Sequence, residues 1–311
     1  MKLIIQIPCF NEEGTLKQTL DDLPKKIVGI KSIEILIIDD GSSDNTVKVA
    51  KQNNVNHIIS HKKNLGLASA FMTGIKYALK NQADIIINTD ADNQYSGKDI
   101  EKLIKPILNN KADIVIGARP IKNHLEFSIL KKILQLLGSS VVRFISNTNI
   151  DDAPSGFRAY SRSAAKKINV FSRYSYTLET IIQAGYSNLT LISVPISVNN
   201  KTRESRLFKN MFQYMLRSVF SIIRTFAIYK PFSFFGLTGL FFSIVGLIPF
   251  FRFIYFYLNG MPGDYIQSLI FGVAFLLIGI ILLIFSFVAD LISVNRRLLE
   301  ELVDHSKEFK E

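Results

Sequence analysis

The stretch DIIINTDADNQY, residues 84–95, decides how this chain is read. Three consecutive isoleucines make a short apolar run of the kind a fully buried parallel strand needs, and the residues after them turn abruptly polar. Asp90 and Asp92 leave the run at alternate positions, with Gln94 two residues further on. Two carboxylates so spaced can hold a hard divalent cation, which in turn neutralises a diphosphate. Ligands of open α/β sheets bind beyond the carboxyl ends of the strands, so the position of this acidic pair points to binding rather than to a solvated turn.

Similar apolar runs lie at 3–7, 33–38, 57–59, 113–116 and 189–194. Helix-like stretches at 15–23, 45–52, 68–80 and 98–108 separate them, with Ser or Asp near several starts. This alternation predicts an α/β domain of the doubly wound, Rossmann-like kind with a mostly parallel sheet. The other strand ends carry matching chemistry: PCFNEE (8–13) after the first, DDGS (39–42) after the second and NLGL (64–67) after the third. Carboxylates there can accept hydrogen bonds from a base imide or from ribose hydroxyls, while Gly41 and Gly66 permit turns and close backbone approach.

The carboxy-terminal third is different. Residues 232–251 (FSFFGLTGLFFSIVGLIPFF) and 268–289 (SLIFGVAFLLIGIILLIFSFVA) carry no charge, and each is long enough to cross a hydrocarbon core as a helix. Lys201, Arg203, Arg206, Lys209, Arg217, Arg224 and Lys230 precede the first run, whereas the connector NGMPGD (259–264) has no Lys or Arg. Basic flanks stay cytoplasmic, so the expected location is the inner, cytoplasmic membrane, with a multi-pass chain whose catalytic domain and both termini are cytosolic. Arg252 suits a residue snorkelling to the far interface. The stretches 207–226 and 127–145 are amphipathic and basic, as helices lying in the headgroup plane would be.

The expected division is therefore a catalytic domain over 1–200, a basic juxtamembrane helix over 201–230, two transmembrane helices within 231–293 (near 232–256 and 266–290) and a charged cytosolic tail over 294–311. Of 311 residues, 48% are hydrophobic, and 37 Lys+Arg stand against 26 Asp+Glu. An apolar and basic chain fits an anionic membrane surface or anionic substrates, and no nucleic acid is expected as a partner. The one cysteine, Cys9, excludes an internal disulfide, and the four histidines have no metal-ligand spacing. The first residues, MKLIIQIPCFNEE, read as a buried strand rather than a signal peptide. Gly236, Gly239, Gly246, Gly272 and Gly279 would permit close helix packing and a homo-oligomer, dimer or tetramer.

PCFNEE, DDGSSDNT, NLGLASAFMTG, NTDADNQY, GAR and DAPSGFRAYSR stand in the order and spacing of family 2 glycosyltransferases with the GT-A fold. Within that family the chain resembles dolichyl-phosphate mannose synthases and the bacterial polyprenyl-phosphate glycosyltransferases that carry a transmembrane pair. The resemblance implies inverting transfer from a UDP- or GDP-linked sugar to a polyprenyl phosphate of the undecaprenyl or dolichyl type. It implies that Pro8, Asn11 and Glu12, with Asp39 or Asp40, hold the nucleoside beside Gly66 and Ala91. Asp90, Asp92 and Gln94 would form the ribose and metal site for Mg2+ or Mn2+, and Asp92 would be catalytic. Arg119 of GAR and Arg158 of SGFR would face phosphates, since Arg offers a planar, always-charged donor fork. Ser155, Arg203, Ser205 and Arg206 would receive the acceptor's headgroup phosphate.

Two departures stand out. Relatives usually have Gly where this chain has Glu204, and some place a catalytic Asp in the motif that reads SGFR here (155–158). A polyprenyl phosphate is already anionic near neutral pH and needs little help from a base. Asp152 is then the nearest candidate for orienting acceptor or metal, with Glu179 behind it. Transfer to another membrane lipid, such as a diacylglycerol, is the alternative. Processive polysaccharide synthesis fits poorly, because the chain lacks Trp and has two apolar runs. A non-catalytic membrane protein would have no reason to keep Asp90, Asp92 and Arg158 together.

Overall fold

The computed structural model describes residues 1–120, 139–140, 142–144, 146, 148–170, 176–199, 216, 219–220, 223–224, 226–260 and 266–308. The chain divides into two compact units, Met1–Ile222 and Ile223–Glu311.

The first unit is built on a sheet of seven strands: β1 (Lys2–Cys9), β2 (Ser32–Asp39), β3 (His57–Ser60), β4 (Ile85–Asn88), β5 (Ile114–Ala118), β6 (Arg158–Ser161) and β7 (Leu191–Pro195). Their order across the sheet is β3-β2-β1-β4-β6-β5-β7. Helices α1 (Leu16–Asp22), α2 (Thr46–Gln52), α3 (Leu67–Lys80), α4 (Ile100–Leu108), α5 (Arg162–Lys167) and α6 (Thr177–Tyr186) connect and cover them. The apolar runs are continuous because both faces are covered. Leu3, Ile5, Ile7, Ile37, Ile87 and Val115 pack with Leu103 and Ile104 of α4, while α3 lies against β1 and β2.

All sheet pairings are parallel except those of β6, which runs antiparallel between β4 and β5. The sequence reading contains no strand there. β6 spans only four residues, RAYS, and opens on an arginine, so neither length nor apolar character announces it. The reversal matters for function, since an antiparallel strand begins at the edge where its parallel neighbours end. The loop leading into β6 is thereby delivered to the edge where β4 finishes.

The second unit contains two long helices, α7 (Pro231–Leu258) and α8 (Ile266–Glu308). Pro231 sits in the first turn of α7, where its missing N–H costs nothing. Pro231–Leu258 and Ile266–Arg296 each contain an 18-residue window of high mean hydropathy, 2.1 and 3.0, and are long and apolar enough to cross a membrane. Their outer faces expose large side chains, among them Leu237, Phe241, Ile248, Phe271, Ile281 and Phe287. The facing sides are small: a Cβ on Gly239 would lie 2.9 Å from the carbonyl oxygen of Gly279, and one on Gly246 would lie 2.8 Å from that of Gly272. Four of the five glycines expected to open a path to oligomers are therefore consumed within the hairpin. Gly236 sits more loosely, 4.0 Å from Ser286 Oγ by the same measure. Where α7 begins, the Arg296 guanidinium lies over the Tyr229 ring at 4.4 Å, and near the opposite end of α7 Arg252 lies over Phe256 at 6.0 Å.

Candidate active site

The loops after β1 and β2 are fastened to one another. Asn11 takes a left-handed conformation (φ 56°), which Asn tolerates better than most residues and which turns the chain sharply out of β1. Its N–H donates to Ser42 Oγ at 2.9 Å, and its side-chain oxygen accepts from the Ser43 N–H at 2.8 Å. The Glu12 N–H donates to Thr46 Oγ1 at 2.8 Å, while the Glu12 carboxylate accepts from Thr15 Oγ1 at 2.7 Å. Asp39, at the end of β2, accepts from the Ser42 N–H at 3.1 Å.

Asp40 is occupied differently. One oxygen accepts from the Leu65 N–H at 2.9 Å and meets His61 Nδ1 at 2.7 Å; the other accepts from the Gly66 N–H at 2.8 Å. His61 reaches Thr73 Oγ1 through its other ring nitrogen, so a buried carboxylate and an imidazole together brace the NLGL loop. Gly41 makes this packing possible: its φ is +73°, and a Cβ there would stand 2.6 Å from the Lys63 carbonyl carbon. Pro8 is buried within β1, and Gly66, at φ 95°, caps the start of α3.

After β4 the exposure alternates. Ala91, Asn93 and Tyr95 are buried, whereas Asp90, Asp92 and Gln94 are half-buried. Thr19 Oγ1 donates to the Ala91 carbonyl at 2.9 Å, and Asp92 Oδ1 accepts from the Gln94 N–H at 3.1 Å, a local turn that fixes the carboxylate's direction. The loop into β6 lies directly against this one. Gly156 donates its N–H to the Tyr95 hydroxyl at 3.2 Å, and its carbonyl accepts from Asn88 Nδ2 at 2.9 Å and the Tyr176 hydroxyl at 3.3 Å. A Cβ at Gly156 would stand 3.0 Å from both Asp90 Oδ1 and the Tyr176 hydroxyl, so glycine lets the two loops approach this closely without displacing either side chain. Phe157 stacks on Tyr95 at 5.1 Å and Tyr176 on Phe71 at 4.0 Å. Burial, opposed by Arg119 and reinforced by Asp90, pushes the Tyr95 phenol up to about 12. Burial, reinforced by Asp90, also holds Tyr176 well above the ordinary range. Both rings stay protonated and keep their hydrogen bonds at neutral pH.

Residues 4–169 match the model of the glycosyl transferase family 2. The chain belongs to this family. It is 35% identical over 212 residues to a UDP-N-acetylglucosamine–dolichyl-phosphate N-acetylglucosaminyltransferase of Methanococcus voltae, covering 61% of this chain and 82% of that one. It is 24% identical over 219 residues to an undecaprenyl-phosphate mannosyltransferase of Micrococcus luteus, covering 67% and 88%. Glucosyl-3-phosphoglycerate synthase from Mycobacterium tuberculosis, solved with Mn2+, UDP and glucosyl-3-phosphoglycerate, superposes with a TM-score of 0.55 at 16% identity over 73% of this chain and 78% of that one. The fold is GT-A and the protein is a glycosyltransferase.

The two arginines of this glycosyltransferase are used in different ways. Arg119 closes on Asp152: Nε lies 2.7 Å and Nη2 3.0 Å from its two oxygens, and the Arg119 N–H adds a third bond at 3.2 Å. Burial alone would lower the Arg119 pKa, but Tyr95, Asp152 and Asp90 more than offset it and raise the value, so the charge is secure. Asp152 is fully buried and committed to this pair. Glu179 is half-buried in the first turn of α6.

Arg158 departs from what the resemblance implies. It is fully buried. Nε donates to the Ser155 carbonyl at 2.8 Å, Nη2 to that of Ala153 at 2.7 Å, and Nη1 to the Thr177 carbonyl at 2.9 Å and Thr180 Oγ1 at 2.7 Å. A loop running into a strand leaves carbonyls that need donors, and this guanidinium supplies them. Arg158 thus ties the loop before β6 to α6 rather than facing the open edge. Ser155 is buried with its hydroxyl unpartnered among the described residues. Arg203, Ser205 and Arg206, along with the amphipathic stretches 207–226 and 127–145 over most of their length, lie outside the described residues.

Among the described residues no group of three His, Cys, Asp or Glu side chains could hold a metal ion. A pair of half-buried carboxylates with one amide suits a cation of another kind, one that keeps water and takes its remaining ligands from substrate phosphates, as Mg2+ does. Asp90, Asp92 and Gln94 are the residues of this loop whose side-chain oxygens could offer ligands to such a cation.

The sequence assigns no role to Asn88, Tyr95, Tyr176, Asp99 or Asn199, although Asn88 and Tyr95 stand within the NTDADNQY run. Asn88 alone left a signal, a polar residue ending an otherwise apolar strand. The last two act together. Ser197 donates its N–H to the Asp99 carboxylate, Val198 pairs with Tyr95 in an isolated antiparallel bridge, and the Asn199 N–H donates to the Gln94 carbonyl at 2.9 Å. Asn199 Nδ2 adds a bond to the Asn93 carbonyl at 3.1 Å.

Proposed function

We propose that this glycosyltransferase moves a sugar from a UDP- or GDP-linked donor onto polyprenyl phosphate, with inversion at the anomeric carbon. The activities of the Methanococcus and Micrococcus relatives support this acceptor class, as do two helices fit to cross a membrane. The observation that carries it is the state of Asp152. A hydroxyl acceptor needs a base, and the carboxylate best placed by sequence for that task is locked to Arg119. A lipid phosphate is already anionic and needs none.

In this reading Asn11, Glu12 and Asp39 frame the nucleoside, while Asp40 works at one remove by holding the NLGL loop. Asp90, Asp92 and Gln94 would hold Mg2+ or Mn2+, which would neutralise charge on the diphosphate. Arg119, fixed by Asp152, sets a permanent positive charge beside the same phosphates. A phosphate oxygen of the lipid forms the new bond to the anomeric carbon; the bond from that carbon to the diphosphate oxygen breaks, and its electron pair leaves with the nucleoside diphosphate. The residues contribute positioning and charge stabilisation rather than covalent chemistry. This reading includes a cytoplasmic-membrane location with both termini cytosolic; the two apolar helices and the Lys and Arg residues that precede the first of them in the sequence support it.

Radiolabelled UDP- and GDP-sugars incubated in detergent with undecaprenyl phosphate, dolichyl phosphate or diacylglycerol test this. Label should enter only the two phosphates and should vanish with chelator or with Asp92→Ala, which should still melt cooperatively. Labelling of diacylglycerol alone, or full activity of Asp92→Ala in excess chelator, would refute the acceptor or the cation respectively.

A further inference from the structure

Gln6, Asn88 and Arg158 stand side by side across the sheet. Gln6 is the register partner of Asn88 on β1 and Arg158 its partner on β6, so the three side chains share one face. All three are fully buried. β1 and β4 are otherwise rich in isoleucine, and an amide buried among such residues costs free energy unless it is bonded.

Asn88 uses both ends of its amide. Oδ1 accepts from Gln6 Nε2 at 2.9 Å, while Nδ2 donates to the Gly156 carbonyl at 2.9 Å and to the Tyr176 hydroxyl at 2.7 Å. The Tyr176 hydroxyl donates in turn to the same carbonyl at 3.3 Å, and burial followed by the charge of Asp90 keeps that phenol protonated. Helix α3 is shaped around the row: the Phe71 carbonyl accepts from Gln6 Nε2 at 3.4 Å, and a Cβ at Gly74 would strike Gln6 Oε1.

The row converges on one loop. Arg158 takes the carbonyls of Ala153 and Ser155, and Asn88 with Tyr176 takes that of Gly156. Gly156 in turn lies against Asp90, since an added Cβ would stand 3.0 Å from Oδ1 and 3.1 Å from Oδ2. The Asp90 carboxylate therefore rests against the very residue whose carbonyl Asn88 holds.

We infer that Asn88 is a positioning residue for the donor site: by holding the Gly156 carbonyl it keeps the loop before β6 against Asp90 and fixes where that carboxylate can meet a cation. This deepens the proposed function and rests on it. Asn11 and Glu12 belong to the loop after β1, which is fastened to the loop after β2 by bonds of its own. Loss of Asn88 should thus weaken the cation's share of nucleotide binding and spare the remainder.

The test titrates the full chain in detergent with UDP and with GDP, each in Mn2+ and each in excess chelator, by calorimetry. One nucleotide should bind the wild-type chain more tightly in Mn2+. Gln6→Val/Asn88→Val replaces both amides together by branched apolar side chains, so neither is left facing a missing partner. It should melt cooperatively and keep its affinity in chelator, while the gain from Mn2+ falls about 2- to 12-fold, the worth of one hydrogen bond. Transfer should lose kcat alongside. Tyr176→Phe, which removes the hydroxyl alone, should move the same ratio in the same direction by less, and it decides the matter if the double variant does not fold. A gain from Mn2+ that is unchanged in the variants overturns the inference. So does an equal loss in Mn2+ and in chelator, which would make the amide row a support of the fold alone. Transfer by a wild-type chain whose nucleotide affinity ignores Mn2+ overturns this inference and leaves the acceptor reading standing. A wild-type chain that neither binds nor transfers overturns both.

Discussion

Replacing Asp152 by asparagine separates a structural ion pair from a catalytic base. Asp152 is fully buried, and the Arg119 side chain facing it is only 11% exposed. Neutralising the carboxylate leaves a buried guanidinium without its counter-charge, a change that costs about 3–5 kcal/mol in buried pairs. The residual exposure of Arg119, and the amide oxygen that can still accept one bond, place the expected loss near the lower end, about 3 kcal/mol. For a unit of 150–250 residues each kcal/mol moves the melting temperature by about 2–4 °C, so Asp152→Asn should melt roughly 6–12 °C lower. Differential scanning fluorimetry in detergent reads this directly. Transfer should fall as well, because Arg119 is no longer held. The double variant Asp152→Leu/Arg119→Met should recover much of the stability without recovering activity, since an apolar pair of similar volume removes the orphaned charge. A base outside any ion pair would behave oppositely, with kcat collapsing and melting unmoved. An Asp152→Asn melting point within about 2 °C of wild type would therefore refute the pairing argument.

Gly156→Ala must displace Asp90 by a few tenths of an ångström, because the new methyl would stand 3.0 Å from its carboxylate; since a 1 Å misplacement can cost about 10²-fold, transfer should drop roughly 10-fold with little change in melting, and an undiminished kcat would count against Asp90 as a ligand-holding group. Gly279→Leu drives a side chain into Ser243 and the Gly239 carbonyl and should lower the stability of the hairpin by about 2–3 kcal/mol, read as earlier thermal unfolding in detergent. Cys9 is buried, and burial, followed by Glu12, Asp39 and Asp44, raises its pKa well above the ordinary thiol range. The thiol therefore stays neutral, and iodoacetamide at about pH 8.5 should alkylate it only after the protein is unfolded.

The parallel strands were legible because burial on both faces writes itself as uninterrupted isoleucine. Residues 33–38 were expected as a strand and Ser32–Asp39 is one; 85–88 differs from its expected run by a single residue. The hairpin was equally plain from its uncharged length. Arg158–Ser161 was not, since a four-residue strand flanked by neighbours gains its stability from them and shows no periodicity of its own. The same gap explains Arg158, which belonged to a familiar motif and was assigned to a ligand, whereas the reversed strand turns it into the loop's own carbonyls. Asp90, Asp92 and Gln94 stand out as candidates in the sequence because they leave an apolar strand at alternate positions, and the same three are the half-buried residues of that loop. Asn199 lies 100 and more residues from the carbonyls it holds, and such a contact leaves no trace in local spacing.

The touching backbones of α7 and α8 have a consequence for the hydrocarbon tail of the proposed acceptor. Where Gly239 meets Gly279 and Gly246 meets Gly272, no isoprene unit can slip between the two helices. For the acceptor proposed above, that leaves only the hairpin's outer flank, where rings and branched side chains such as Phe241, Ile248 and Phe287 are exposed. A surface of that kind would grip hydrocarbon without measuring its length.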